Sequence, residues 1–270
     1  MFLQMTITSH HNQKLKEIRK LRQRRRWRER SHRFVAEGED LLAAADAAGW
    51  PAVERYCAAG SGLQGVEVEA DLLASASGLG SGTRTLAVYD ERWAEKPLGP
   101  VCVYLHALQD PGNVGAILRS AQAFGASSVA LGPGTADPFS PKAVRASMGA
   151  VFCVPLAHAG SIAELPGQKI ALVPGAGVPL AEVMRFGATP RHQNATVLVE
   201  GDAPVEGDAP NEGDAPNEAA GPVAAPDVTL LIGAERDGLP EEVVQQADQV
   251  AHIPICLLYT SDAADDLTRV

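Results

Sequence analysis

LQDPGNVGAILRSAQAFG, residues 108–125, is the stretch on which the fold turns. Val101, Val103 and Leu105 alternate just before it and predict a buried strand. Gln109-Asp110-Pro111-Gly112-Asn113 is dense in turn formers, with Asn113 placed to cap a helix. Val114, Ile117, Leu118 and Ala121 follow at helical spacing, and Gly125 falls just past the helix end. The pattern predicts a strand–loop–helix unit whose loop lies at the carboxyl end of a strand, where open α/β sheets bind ligands. Arg119 sits on this helix between two apolar rows. From this unit alone it reads as a surface arginine lying along the protein with its charge in water.

The same alternation continues outward. Strands are predicted at 101–105, 128–131, 170–173, 228–232 and 250–253, with helices at 113–124, 141–148, 180–184 and 240–247. Such an order implies a mainly parallel sheet covered by helices on both faces. Upstream, short strands at 34–35, 53, 66–68 and 85–88 surround helices at 39–48 and 70–76, which predicts a small α/β domain over 34–90. Residues 91–100 carry two prolines and read as a linker. A chain of 270 residues has room for two such domains, each with its own core.

The net charge of −10 hides an asymmetry. Residues 1–33 hold eleven Lys or Arg and two Glu, about +9, which leaves about −19 on the other 237. Within this arm Leu15, Ile18 and Leu21 share one side of a short helix and leave the arginines outward. A concentrated basic arm on an acidic protein points to a polyanion, most simply nucleic acid, with Arg22, Arg24, Arg25, Arg26 and Arg28 as candidate contacts. The competing reading is a solvated arm. Cys57, Cys102, Cys153 and Cys256 are far apart and form no CxxC pair, which predicts a reducing cytoplasm without a disulfide framework or metal site. No apolar run approaches a membrane span, and the start is basic and polar rather than a signal peptide.

Two segments break the order. Residues 200–226 begin with EGDAPV-EGDAPN-EGDAPN, an acidic repeat without an apolar face, which reads as a flexible surface insertion. Residues 256–270, CLLYTSDAADDLTRV, resemble the translation of a transposase sequencing adapter in one reading frame, and so read as a non-native tail after Ile255.

DPGNVGAILRSAQAFG (110–125), LLIGAERDGLPEEV (230–243) and HIPI (252–255) resemble the successive motifs of the SpoU/TrmH branch of the SPOUT RNA methyltransferases. SPKAVRASMGAVFCVPL (140–156) matches the region those enzymes carry between motifs, and residues 7–42 are similar to the start of their RNA substrate-binding domain. The resemblance implies a ribose 2′-O-methyltransferase that uses S-adenosyl-L-methionine, acts in the cytoplasm on ribosomal rather than transfer RNA, and works as a homodimer. It implies a small N-terminal α/β substrate-binding domain followed, over 101–255, by an α/β domain with a trefoil knot. True knots are rare, so only the motifs license that expectation.

Residue by residue, Asn113 and Arg119 fall on the first motif, Gly233, Glu235 and Gly238 on the second, and Ile253 opens the third. The resemblance makes Arg119, Asn113 and Glu235 catalytic candidates and Gly233, Gly238 and Ile253 cofactor contacts. A 2′-hydroxyl must lose its proton as it attacks a sulfonium methyl, and an arginine beside a phosphate can orient the ribose and stabilise the oxyanion. A guanidinium with a pKa above ~12 is a poor base, so the proton acceptor stays open. Glu235 either positions Arg119 or meets the RNA, while Asn113 fixes the loop. Gly233 and Gly238 permit close backbone approach to the cofactor, or simply form the turn before the next helix. Arg145 and Ser147 contact RNA or a partner subunit, or are a salt-bridged arginine and a helix serine. In the family the third motif continues into a Ser-Leu-Asn-like segment and a closing helix. The adapter-like peptide stands there instead, which separates an active parent from this exact chain and its incomplete knot. A non-catalytic RNA-binding protein with a degraded SPOUT domain and a methyltransferase acting on a base nitrogen are the rival readings.

Overall fold

The computed structural model describes residues 6–78, 82–186 and 227–254. The acidic repeat and the adapter-like tail lie outside these residues.

Helix α1 (Gln13–Gln23) starts at Asn12, whose side chain accepts from the Lys14 N–H at 2.9 Å, and α2 (Arg25–Ser31) follows after the extended Arg24. The apolar side of α1 is no free face. Leu15, Ile18 and Leu21 are fully buried against Tyr56, Val68, Leu73 and Leu86. Burying each such side chain contributes about 1.5–3 kcal/mol, which a solvated arm could not offer. Helix α1 of the basic segment therefore packs as part of the N-terminal domain.

The rest of that domain comprises β1 (Arg33–Glu37), α3 (Glu39–Ala47), β2 (Glu54–Ala58), β3 (Val66–Val68), α4 (Ala70–Ala76) and β4 (Thr85–Asp90). Its sheet runs β1-β4-β2-β3, with β4 antiparallel to both β1 and β2, and β3 parallel to β2. Side chains alternate across it as a pleated strand requires. Val35, Leu86 and Val88 face α1 and α4, while Phe34, Ala36, Ala87 and Tyr89 face the second domain.

The second domain contains β5 (Val101–Leu105), α5 (Pro111–Ala123), β6 (Ser128–Leu131), α6 (Pro141–Ala146), a 3₁₀ turn at Ala150–Phe152, β7 (Leu156–His158) and β8 (Gln168–Leu172). It continues through β9 (Val178–Pro179), α7 (Leu180–Phe186), β10 (Val228–Ile232), α8 (Glu241–Gln245) and β11 (Gln249–His252). The seven strands are all parallel, in the order β7-β6-β5-β10-β8-β11-β9. Val103 and Leu105 point towards α5, while Cys102 and Tyr104 join Leu231 on the opposite face with Leu239 and Val243. The strands at β7 and β9 escape the sequence pattern because two or three residues carry no readable alternation. The helix expected to reach 148 stops at Ala146, since Met148 and Gly149 adopt left-handed backbone with φ of 51° and 95°.

Besides the clusters that each domain holds alone, the two domains share one core. Phe34 lies 4.7 Å from Phe139 and 5.8 Å from Phe152, ring centre to ring centre, and Trp50 meets Phe152 edge-on at 5.4 Å. The connection at 91–100 is pinned as well: Ala94 N–H donates to Leu156 O at 2.6 Å, and Ser128 Oγ bonds both the N–H and the carbonyl of Leu98. It is a strap across the sheet edge rather than a free linker.

Candidate active site

Strands β5 and β10 are neighbours in register, Leu105 beside Ile232, so the loops leaving their carboxyl ends emerge side by side. The first loop enters α5 through Asp110, not Asn113. Asp110 is the N-cap, its Oδ1 accepting from the Gly112 N–H at 2.7 Å, and Pro111 occupies the first helical turn, where its missing N–H costs nothing. Asn113 is thereby released from capping. Its Nδ2 donates to Glu235 Oε1 at 2.8 Å, joining the two loops across 122 residues of chain. This bond, with backbone N–H groups of Glu235, Asp110 and Gln109, holds the Glu235 carboxyl below the usual carboxylate range.

Lys142 on α6 donates to Asp110 Oδ1 at 2.7 Å. With the Gly112 N–H it depresses the Asp110 pKa as well. Asp110 and Lys142 were not singled out from the sequence, although an Asp directly before Pro-Gly at a helix start is itself a capping signal. Gly115 lets α6 approach: a Cβ there would stand 2.3 Å from the Ala143 carbonyl oxygen.

Arg119 lies on the exposed side of α5 and forms no ion pair or hydrogen bond with a described residue. Asn113 and Glu235 meet; Arg119 does not join them. Glu235 makes no bond to Arg119, and its Oε1 accepts from Asn113 instead.

In the second loop Ala234 and Gly238 exchange both backbone hydrogen bonds at 3.0 Å, closing a tight hairpin that projects Glu235. Gly238 has φ of 67°, and a Cβ on Gly233 would lie 2.1 Å from the Gly238 carbonyl carbon. Both glycines are thus required by the hairpin itself. Ile253 lies elsewhere, exposed beyond β11, where it lines a cavity of about 420 Å³ with Leu172, Val173, Pro174, Gly175 and His252. That volume suits a small-molecule ligand. Gly177 keeps the cavity loop against β11, since a Cβ there would lie 2.0 Å from the Val250 carbonyl oxygen. Apolar walls and loop backbone at two parallel strand ends fit an adenosyl group. Gly233 and Gly238 do not line this cavity.

The basic candidates divide. Arg28 is only 5% exposed, and its Nε and guanidinium hold Asp137 at 2.7 Å while Nη1 donates to Leu21 O at 2.6 Å. Arg22 is ion-paired with Glu37 and donates to Ala76 O at 2.8 Å. Both guanidinia are thus engaged within the protein, as an arginine drawn from water must find a carboxylate and acceptors. Arg24 and Arg26 are exposed without an ion pair to a described residue, and Arg25 is exposed beside Glu29. Arg145 is exposed too, whereas Ser147 is buried, with Oγ donating to Val144 O at 2.7 Å.

Residues 100–261 match the SpoU rRNA Methylase family, and residues 12–88 match the MRM3-like substrate binding domain. The chain belongs to the SpoU rRNA methylase family. Over 205 residues it is 31% identical to a Synechocystis protein named uncharacterized tRNA/rRNA methyltransferase slr1673, covering 66% of this chain and 73% of that one. Over 160 residues it is 28% identical to the Bacillus subtilis 23S rRNA (guanosine(2553)-2′-O)-methyltransferase RlmP, covering 56% and 63%. The first curated relatives it matches are covered over 14% to 63% of their length. The structure is similar to an AdoMet-bound rRNA methyltransferase from Sinorhizobium meliloti, with a TM-score of 0.69, 26% identity and coverage of 96% and 92%. The match from residue 12 agrees with α1 belonging to the domain, and the SpoU match continues past Ile255 to residue 261.

Proposed function

We propose that this protein transfers a methyl group from S-adenosyl-L-methionine to a ribose 2′-hydroxyl of ribosomal RNA, acting as a homodimer. The observation that carries this reading is the Asn113–Glu235 bond, which unites two family motifs at adjacent strand ends with Arg119 exposed on the same helix and unpaired among the described residues. Residues 172–175 and Ile253 would hold the cofactor, which when bound supplies an electrophilic methyl on a sulfonium. The RlmP relative supports ribose chemistry by its name, and the AdoMet-bound relative supports the cofactor.

The remaining work falls to side chains of this chain. Asn113 and Glu235 fix the loop below the helix, so the ribose meets a preorganised surface rather than a mobile one. Arg119 grips a phosphate or ribose oxygen with its planar fork and offsets negative charge as the hydroxyl proton leaves. A guanidinium is not a proton acceptor in proteins, so the proton passes to another group. Glu235, kept ionised by its donors, supports Asn113 rather than competing for Arg119.

The test combines calorimetric titration of the purified chain with S-adenosyl-L-methionine and mapping of 2′-O-methyl sites in ribosomal RNA from cells with and without the gene. Saturable cofactor binding and one lost ribose methyl group are expected. RNA binding without cofactor binding points to a non-catalytic module, and a lost base methyl group points to a different acceptor atom; either result overturns the proposal. Sedimentation of the same sample reads the homodimer.

A further inference from the structure

Between the two domains, on the side of the sheet away from Ile253, lies a second cavity of about 540 Å³. One wall is α2 with Arg25 and His32; the other is formed by the carboxyl ends of β6 and β7 and by the strap residues Glu91 and Trp93. His158, the last residue of β7, lies flat on Trp93, ring centres 3.9 Å apart at 27°, and Trp93 is braced edge-on by Phe139 at 5.3 Å. His158 is itself exposed, so the stack presents one open aromatic face towards the cavity. Glu91 stands beside the stack, its Oε2 accepting from Trp93 Nε1 at 3.2 Å and lying 3.9 Å from His32 Nδ1.

We propose that this interdomain cleft is a docking site for one unpaired nucleotide of the RNA, its base laid on the His158–Trp93 stack and its phosphate held by Arg25 and His32. The inference rests on the RNA-methyltransferase reading above and adds to it a place where the RNA is held away from the reacting ribose.

Three observations support it. A braced aromatic pair with an open face is the element that single-stranded nucleic acid recognition uses, because every base has a π-face to stack. Burial and the Arg25 charge both lower the His158 pKa, and Arg25, bonded to Glu29 at 2.7 Å, brings its exposed guanidinium to the same cleft. The cleft is also rigid and joined to the candidate active site. The buried Arg28–Asp137 pair ties its two walls. Its floor, residues 132–137, is bonded to the β5–α5 loop by Ala107 N–H to Pro133 O at 3.0 Å, Thr135 Oγ1 to Leu105 O at 2.7 Å and Ala136 N–H to Leu108 O at 2.8 Å. A nucleotide seated in the cleft is therefore held in a fixed relation to Asn113.

The test uses the full chain with ¹³C-labelled histidine, titrated with the ribo-oligomers rA₁₀ and rU₁₀. The His158 and His32 ring signals, identified by loss in His158→Gln and His32→Gln, are expected to move upfield and saturate, with rA₁₀ binding more tightly than rU₁₀. His158→Ala is expected to weaken rA₁₀ binding about 10-fold, the factor for loss of one stacked base, with an unchanged melting temperature. Arg25→Gln is expected to weaken both oligomers alike. No shift at His158, or equal shifts at all seven histidines, overturns the proposal. The outcome is separable from that for methylation: a still His158 in a chain that binds cofactor and methylates RNA removes the cleft alone, whereas saturable shifts in a chain that transfers no methyl remove only the activity.

Discussion

Replacing Arg28 by methionine removes the charged head while keeping most of the apolar stem, and the structure sets the expected cost. The guanidinium makes two bonds to Asp137 at 2.7 Å and one to Leu21 O at 2.6 Å, with both charged partners almost fully enclosed. Breaking a buried ion pair from one side costs about 3–5 kcal/mol, because the remaining charge stays desolvated. Asp137 keeps one donor, the Phe139 N–H at 2.8 Å, which places Arg28→Met near the lower end, about 3 kcal/mol. With an m-value of about 2–3 kcal/mol/M, the urea midpoint should fall by about 1–1.5 M, read by tryptophan fluorescence. Arg24→Gln, on the exposed side of the same segment, should stay within about 0.5 kcal/mol. Arg28→Met with Asp137→Leu should recover much of the loss, since no buried charge is left alone. An unchanged midpoint in Arg28→Met would refute the reasoning and return the basic segment to a solvated arm.

Arg119→Ala is expected to lower single-turnover methylation by about 10²–10³-fold with little change in cofactor affinity, and Arg119→Lys to rescue it poorly; near-normal turnover in the alanine variant would return Arg119 to a surface residue. The Glu235 carboxyl should titrate below the ordinary range in carbon NMR and move back up in Asn113→Ala. Its folded pKa is depressed, so the small stability it contributes is present above the ordinary carboxylate pKa and is lost as pH falls through the folded value. Arg24→Gln and Arg26→Gln should each reduce the slope of log RNA affinity against log salt by roughly 0.7–0.9, and unchanged slopes would remove them from the interface.

How far the sequence reaches is clearest at particular residues. Residues 101–125 are legible because an alternating strand, a turn-rich loop and a 3.6-residue period are local signals, and the structure places β5 over Val101–Leu105 and α5 over Pro111–Ala123. The capping residue was misplaced by three positions: Asp110 and Asn113 are both good caps, and only the partner supplied by Glu235 decides which is free for another bond. Gly233 and Gly238 show the same limit, since their spacing suits either cofactor approach or a hairpin, and the hairpin forms.

Charge was the least transferable signal. Eleven cations in 33 residues fix the net charge of the segment, but not which cations meet water. Arg24, Arg26 and Arg28 are equivalent in composition, yet one turn of α2 sends Arg28 inward to Asp137, 109 residues away, while the other two stay exposed. By itself the sequence determined the α/β class, the parallel sheet and most helices, which rest on periods and spacings within one segment, and it carried the resemblance to the SpoU family in its motifs. Only the tertiary structure decided that the basic segment is core, that the two domains share aromatic packing, and that a cleft opens between α2 and β7. Those depend on contacts between residues far apart in the chain, where the free energy comes from burial and pairing that no local pattern encodes.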